Sequence, residues 1–168
     1  MAAFTNLDWR RLDTRAVVEA GGLATITKAQ WERCVFELLE EDYEVVTLDC
    51  GGDIDTMARN FGVLWQWETL FGYTVQRMNL DAIRDGLLES WPTKAGRLVL
   101  VLVNAERIWK ESRREFLYFL DFAREKSRWE LALGTRFFTL LVVEAEKGVI
   151  PAQGYCGFSS THFFPNQK

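Results

Sequence analysis

The sequence predicts an α/β fold, a small three-layer-type arrangement in which a mostly parallel, three-stranded sheet packs against helices. Three observations lead there. Leu98 to Val103 (LVLVLV) is an unbroken apolar run of strand length, and such runs belong to strands buried on both faces, as in parallel sheets. Tyr43 to Asp49 (YEVVTLD) and Phe137 to Val143 (FFTLLVV) are two further strand-like runs. Helical periodicity lies between these runs, and strands alternating with helices are the pattern of a layered α/β domain.

Taken in order, residues 1–14 are polar and read as irregular, with Trp9 as their anchor. Ala16 to Ala20 (AVVEA), just before the Gly21-Gly22 turn, reads as a short edge strand. From Lys28 to Glu41 the residues Trp31, Cys34, Val35, Leu38 and Leu39 fall on one helical stripe, with Thr27 placed to cap it. The first strong strand is closed by Gly51-Gly52, after which Asp53 or Asp55 can cap a helix running to about Trp65. A short helix is expected from Asn79 to near Trp91-Pro92, and a long one from Glu106 to Lys126. The chain beyond Gly148, rich in Gly, Pro, Phe and Ser, reads as an ordered extension or loop. The expected organisation is an extension with one amphipathic helix over residues 1–42, a domain over 43–147, and a second extension over 148–168.

A chain of 168 residues suits one domain and can bury a core without disulfides or metals. With 48% hydrophobic and 26% charged residues it has the composition of a globular protein. The net charge of -4 argues against general nucleic-acid binding, which needs surplus Lys and Arg against phosphates. It is compatible with a basic protein partner. Cys34, Cys50 and Cys156 are odd in number and widely spaced, which suits a reducing compartment. No apolar stretch reaches the roughly 18 residues of a membrane span, so a cytoplasmic protein without membrane contact is expected.

Enzyme chemistry finds little purchase. The one histidine, His162, lies in the tail between Thr161 and Phe163, and general acid–base catalysis needs a positioned base with a partner. Cys50 follows a strand and precedes Gly51-Gly52, but its acidic neighbours Asp53 and Asp55 oppose a thiolate. The Gly pair matches neither GxGxxG nor GxxxxGK[ST]. A phosphorylation receiver site fails because Asn104 stands where the middle-strand Asp belongs, and no Lys follows the last strand. Carboxylate spacing marks no metal or glycosidase site. The expectation is a non-enzyme with no cofactor, metal or small-molecule substrate.

Asn79 to Trp91 (NLDAIRDGLLESW) carries the strongest signal. Asn79 is a favoured N-cap, and Asp81 in the first turn faces the positive end of the helix dipole. Leu80, Ile83, Leu87 and Trp91 share one stripe, while Asp81, Asp85 and Glu89 stack at i, i+4, i+8 on the opposite side. Like charges at that spacing repel by a few tenths of a kcal/mol per pair. The pattern fits either a solvated helix face or a recognition face for cations.

The order of elements from Tyr43 to Val143, with Leu70-Phe71-Gly72 followed by Asn79-Leu80-Asp81-Ala82-Ile83-Arg84-Asp85, resembles the barstar family of intracellular ribonuclease inhibitors. The resemblance implies a barstar-like fold and a plug formed by the loop and the start of the helix. In that family two aspartates four residues apart meet the basic groups that hold RNA phosphate, and Asp81 and Asp85 match them. Phe71, Gly72 and Tyr73 would shape the plug, Asn79 would cap the helix, and Glu89 would extend the acidic rim. The chain departs from the family in the six residues Tyr73 to Met78, which bring in Arg77, and in its two extensions. The implied function is that of an immunity protein in a bacterial toxin–antitoxin pair, blocking a basic nuclease toxin other than the family's usual one, without contacting nucleic acid itself. The alternative is a barstar-like interaction module with a non-nuclease partner.

Overall fold

The computed structural model describes residues 11–14, 16–17, 20–89 and 96–143. Within them a four-stranded sheet has the order β1-β4-β3-β2, with all pairings parallel. The strands are β1 (Leu23–Thr27), β2 (Glu44–Asp49), β3 (Arg97–Val103) and β4 (Arg136–Val143). Around them lie α1 (Leu12–Thr14), α2 (Lys28–Glu40), α3 (Ile54–Leu64), α4 (Trp67–Phe71), α5 (Leu80–Leu88), α6 (Glu106–Glu111) and α7 (Arg113–Ala132).

The two central strands explain the unbroken apolar runs. Successive side chains of a strand point to opposite faces, so Leu98, Leu100 and Leu102 of β3 enter one core. Val99 and Val101 enter the other. The first core holds the helices α3 to α7, through Met57, Phe61, Trp67, Ile83, Leu87, Trp109, Phe116 and Phe119. The second is covered by α1 and α2, through Leu12, Cys34 and Leu38. Helices on both faces of a parallel sheet make three layers.

The sheet has four strands rather than three, and its edge strand is not AVVEA. Ala16 and Val17 stand outside any strand, and pairing begins only after the turn at Gly21 and Gly22. A Cβ on Gly22 would lie 2.2 Å from Ser127 Oγ of α7, so the backbone passes against that helix as it enters the sheet. The Gly22 carbonyl then accepts a 2.9 Å hydrogen bond from Thr139 N of β4. Leu12 to Glu40, read from sequence as an extension, therefore supplies an edge strand and the covering helix of the same sheet.

The helices differ from expectation in four places. Leu12–Thr14, within the segment read as irregular, forms the short helix α1. The short helix α4 occupies a segment read as loop. The long helix is divided at Ser112 (φ -139, ψ 43) into α6 and α7, and it continues to Ala132. Helical bonds enter and leave that residue, Ser112 N to Ile108 O at 2.8 Å and Phe116 N to Ser112 O at 3.1 Å, so the division is a kink at one position. On α2, Leu39 of the predicted stripe is 56% exposed. Trp91, Cys156, His162 and the extension 148–168 lie outside the described residues.

One buried carboxylate fastens the chain's beginning to the sheet. Asp13 accepts hydrogen bonds from Arg11 Nε and Nη2, both at 3.0 Å, from Tyr43 OH at 3.0 Å, and from Arg136 Nη1 at 2.5 Å. Tyr43 precedes β2 and Arg136 opens β4, so Asp13 ties α1 to the starts of two strands. Among the described residues no helix is long and apolar enough to cross a membrane.

Candidate protein-binding surface

The surface is built on α5. Asn79 holds an extended conformation and its side chain accepts a 3.2 Å hydrogen bond from Ala82 N, so it caps the helix as its position predicts. Ile83, Gly86 and Leu87 are buried. Asp81 and Asp85 are exposed on the opposite side. Among the described residues neither forms an ion pair or a side-chain hydrogen bond.

Arg84, the one cation of α5, forms its bonded pair with another helix, while the charges of Asp85 and Asp81 also act on it. Its Nε and Nη2 donate to Glu125 Oε2 and Oε1 of α7 at 3.0 and 2.7 Å, a bidentate pair. The hydrogen bonds and charge of Arg84 hold the Glu125 carboxyl below its ordinary range. Glu130 is engaged too, with Lys126 Nζ at 2.5 Å and with Thr135. The acidic residues near the end of the long helix thus belong to intramolecular pairs, which leaves the open carboxylates on α5.

Glu89 does not extend the helical stripe. It is the C-cap, with φ -62 and ψ 149, so the chain has already left the helix and the i+8 register no longer applies. Its backbone has a structural task instead. Lys126 is buried, at 1% exposure, and its Nζ donates to the Glu89 carbonyl at 3.1 Å. A cation there meets the negative end of the α5 dipole and satisfies an orphan carbonyl of the last turn.

The aromatic-Gly segment lies next to this helix. Gly72 closes α4 in the left-handed region (φ 77), with its N–H on Glu68 O at 2.9 Å. Nothing lies within 4 Å of a Cβ built there, so the glycine serves the turn conformation rather than close packing. Phe71 is only half-buried and packs on Trp67, with ring centroids 4.5 Å apart. Tyr73 stands edge-on to the same indole at 6.1 Å and is 53% exposed.

The segment Tyr73 to Met78 is tied to α3. Asp55 Oδ1 accepts from Met78 N at 2.8 Å, and Arg59 Nη1 donates to the Gln76 carbonyl at 3.0 Å. Val75 sits over Gly62, where a Cβ would meet its Cγ2 at 2.8 Å. Asp55, one of two candidate caps for α3, thus holds the loop. Asp53 makes the cap, accepting from Thr56 N at 2.7 Å.

Residues weighed for chemistry have structural partners. Cys50 is buried at 0% exposure and burial pushes its thiol up, so it is inert as a nucleophile. Asp49 accepts from Asn104 Nδ2 at 2.9 Å and Gly51 N at 2.8 Å, joining the ends of β2 and β3. Among the described residues no group of three or more His, Cys, Asp or Glu could hold a metal ion.

Sequence reasoning missed the supports of the surface. Trp67, Gly86, Lys126, Asp55 and Arg59 place α5 and its loop, yet only Gly86 carries a local signal, an isolated glycine inside a helical pattern. Comparison with protein-family models, with curated proteins and with solved structures finds no match.

Proposed function

We propose that this chain is an inhibitor that acts by binding: a cytoplasmic immunity protein that blocks the basic active-site cleft of a cognate nuclease toxin, with no catalysis of its own. One observation carries the reading. Asp81 and Asp85 stand one helical turn apart, exposed, while the helix's own arginine is committed to Glu125. Two exposed carboxylates without a bonded cation of their own repel each other. A row of cations that normally holds phosphate relieves that repulsion and adds charge-assisted hydrogen bonds. The barstar-like order of loop and helix supports the same face, with Phe71, Gly72 and Tyr73 as the plug and Glu89 at its margin. Among the described residues β2, α3, the aromatic-Gly turn, α5, β3, α6–α7 and β4 follow in the expected order.

The test uses the product of the neighbouring gene as toxin. The chain should protect cells from it and block its nuclease activity in vitro. Asp81→Ala and Asp85→Ala should each weaken binding by about 2–5 kcal/mol, the loss for truncating one side of a buried interfacial charge pair. Association should slow as salt is raised, because steering between opposite charges is screened. Unaltered protection by the double variant would place the binding surface elsewhere. Tight binding to a protein without nuclease activity would favour the interaction-module reading.

A further inference from the structure

The layer of the molecule opposite α5 carries a second unpartnered face. Helix α2 packs Cys34 and Leu38 into the core on its own side of the sheet, whereas α5 packs on the other side through Ile83 and Leu87. The apolar arc of α2 does not stop at that contact. Trp31 and Val35 are half-buried at its edge, and the arc runs on to Leu39 and Phe36, which are 56% and 62% exposed. At 3.6 residues per turn, Val35 and Leu39 stand in one column along the helix, and Glu32, Phe36 and Glu40 stand in the next. The second column sets an exposed ring between two exposed carboxylates, about 12 Å apart along the axis.

The free charges around that ring are of one sign. Among the described residues the carboxylates of Glu32 and Glu40 form no ion pair or hydrogen bond. Arg33 is paired with Glu37 at 2.8 Å, and Glu41 is taken by Arg11. Glu40 also lies in the last turn of α2, which holds no basic residue, so its charge opposes the negative end of the helix dipole. A cation supplied from outside relieves that opposition.

We propose that this face of α2 docks a cationic amphipathic helix of a partner protein, with apolar side chains on Phe36 and Leu39 and a Lys or Arg against each of Glu32 and Glu40. Such a helix carries two cations eight residues apart with an apolar residue midway, the charge complement of the α2 column. Recognition by anchors at helical spacing is a recurring mode of binding. A second copy of this chain does not fit. Antiparallel packing about Phe36 sets Glu32 of one copy against Glu40 of the other, and parallel packing sets each carboxylate against its own kind. An anionic membrane surface favours Lys and Arg beside the apolar stripe, where α2 has Glu32 and Glu40. The inference is independent of nuclease inhibition, because α2 and α5 lie on opposite faces of the sheet.

The test uses the full chain carrying D81A and D85A, so that the α5 carboxylates do not compete. It is titrated with two labelled helical peptides, one with Leu on its apolar stripe and Lys at the flanking positions, the other with Glu in place of every Lys. The lysine peptide should bind and the glutamate peptide should not. F36S with L39S should weaken binding at least about tenfold. E32K with E40K should reverse the preference between the two peptides. All four substituted residues are exposed, and the circular dichroism of each variant should match that of the unsubstituted α2. Failure of the lysine peptide to bind, or equal binding with and without the α2 substitutions, would overturn the proposal. Binding to phosphatidylserine vesicles that F36S with L39S abolishes would assign the face to a membrane, and a dimer that the same pair dissolves would assign it to a second copy. Protection of Phe36 from hydroxyl-radical labelling in the free monomer would show that the chain covers the face itself. None of these outcomes touches the reading of α5, whose carboxylates are absent throughout.

Discussion

Gly86 on α5 receives the edge of the Trp67 indole: a Cβ at Gly86 would lie 2.0 Å from Trp67 Cζ3 and 2.6 Å from Cη2. The glycine lets the acidic helix sit directly on the largest side chain of α4, which is itself 2% exposed. Two effects compete when Gly86 becomes Ala. Alanine in a helix interior is favoured over glycine by roughly 0.5–1 kcal/mol, while overpacking a filled core costs typically about 1–3 kcal/mol. The buried indole has no room to retreat, so packing wins. Gly86→Ala should destabilise the protein in urea unfolding, and a gain in stability would show that α5 is not seated as described.

Lys126 offers a second test of how α5 is held. Replacing it by Met leaves the Glu89 carbonyl without its donor and Glu130 without its cation. Removing one partner of a buried pair costs about 3–5 kcal/mol; partial exposure of Glu130 should keep the loss near the lower figure. Glu130→Gln added to Lys126→Met should recover part of it, because the uncompensated charge is gone. Hydrogen exchange should speed up most in the last turn of α5. Additive losses in the double variant would contradict the pairing.

Asp13 sets a pH dependence. Burial pushes its carboxyl up, but hydrogen bonds from Arg11 and Tyr43 and the charges of Arg11 and Arg136 outweigh burial and hold it at about 2. The folded-state value lies below the ordinary 3.8, so the stabilisation is complete above that pH and is lost as pH falls towards about 2. At neutral pH it amounts to about 2 kcal/mol. Asp13→Asn should lower the melting temperature at pH 7, and the gap to wild type should close between about pH 4 and pH 2. A constant gap across that window would remove Asp13 from acid unfolding.

The carboxylates of α5 should behave differently in folding and in binding. Asp81 sits in the first turn, where a negative charge contributes about 0.3–1 kcal/mol through the helix dipole. Asp85 lies beyond that turn and repels Asp81, so Asp85→Ala should leave stability unchanged or raise it by a few tenths of a kcal/mol. Thermal unfolding of both single variants should show this asymmetry while binding to the toxin is lost in each. A marked loss of stability in Asp85→Ala would make it a structural residue.

The strands β3 and β4 are legible because each buries a nearly continuous apolar run, β2 because its short apolar stretch alternates buried Val46 and Leu48 with exposed polar neighbours, and α2, α3 and α5 because their apolar spacing and caps are local. The edge strand β1 begins at Leu23, seven residues after the start of the AVVEA run and wholly beyond it. Its existence depends on pairing with β4, in which Leu23 faces Thr139 from the far end of the chain, and no local pattern contains that partner. With five residues, α4 is too short to show a period, and it begins from Gln66 in the left-handed region (φ 51). The kink at Ser112 carries neither Pro nor Gly to announce it.

Near neighbours along the chain were enough to place Asp81 and Asp85 on one side of a helix, because 3.6 residues per turn decide that geometry. They were enough to put Asn79 at its start as well. Glu89 escaped that logic, since the helix stops where Lys126 takes its carbonyl, and Lys126 belongs to another helix. The pairing of Arg84 with Glu125, the seat of Gly86 on Trp67, and the bonds that tie Gln76 and Met78 to α3 likewise join residues distant in sequence. Periodicity could set which side chains share a face. Only packing between helices could decide which of those charges were already spent inside the molecule and which remained for a partner.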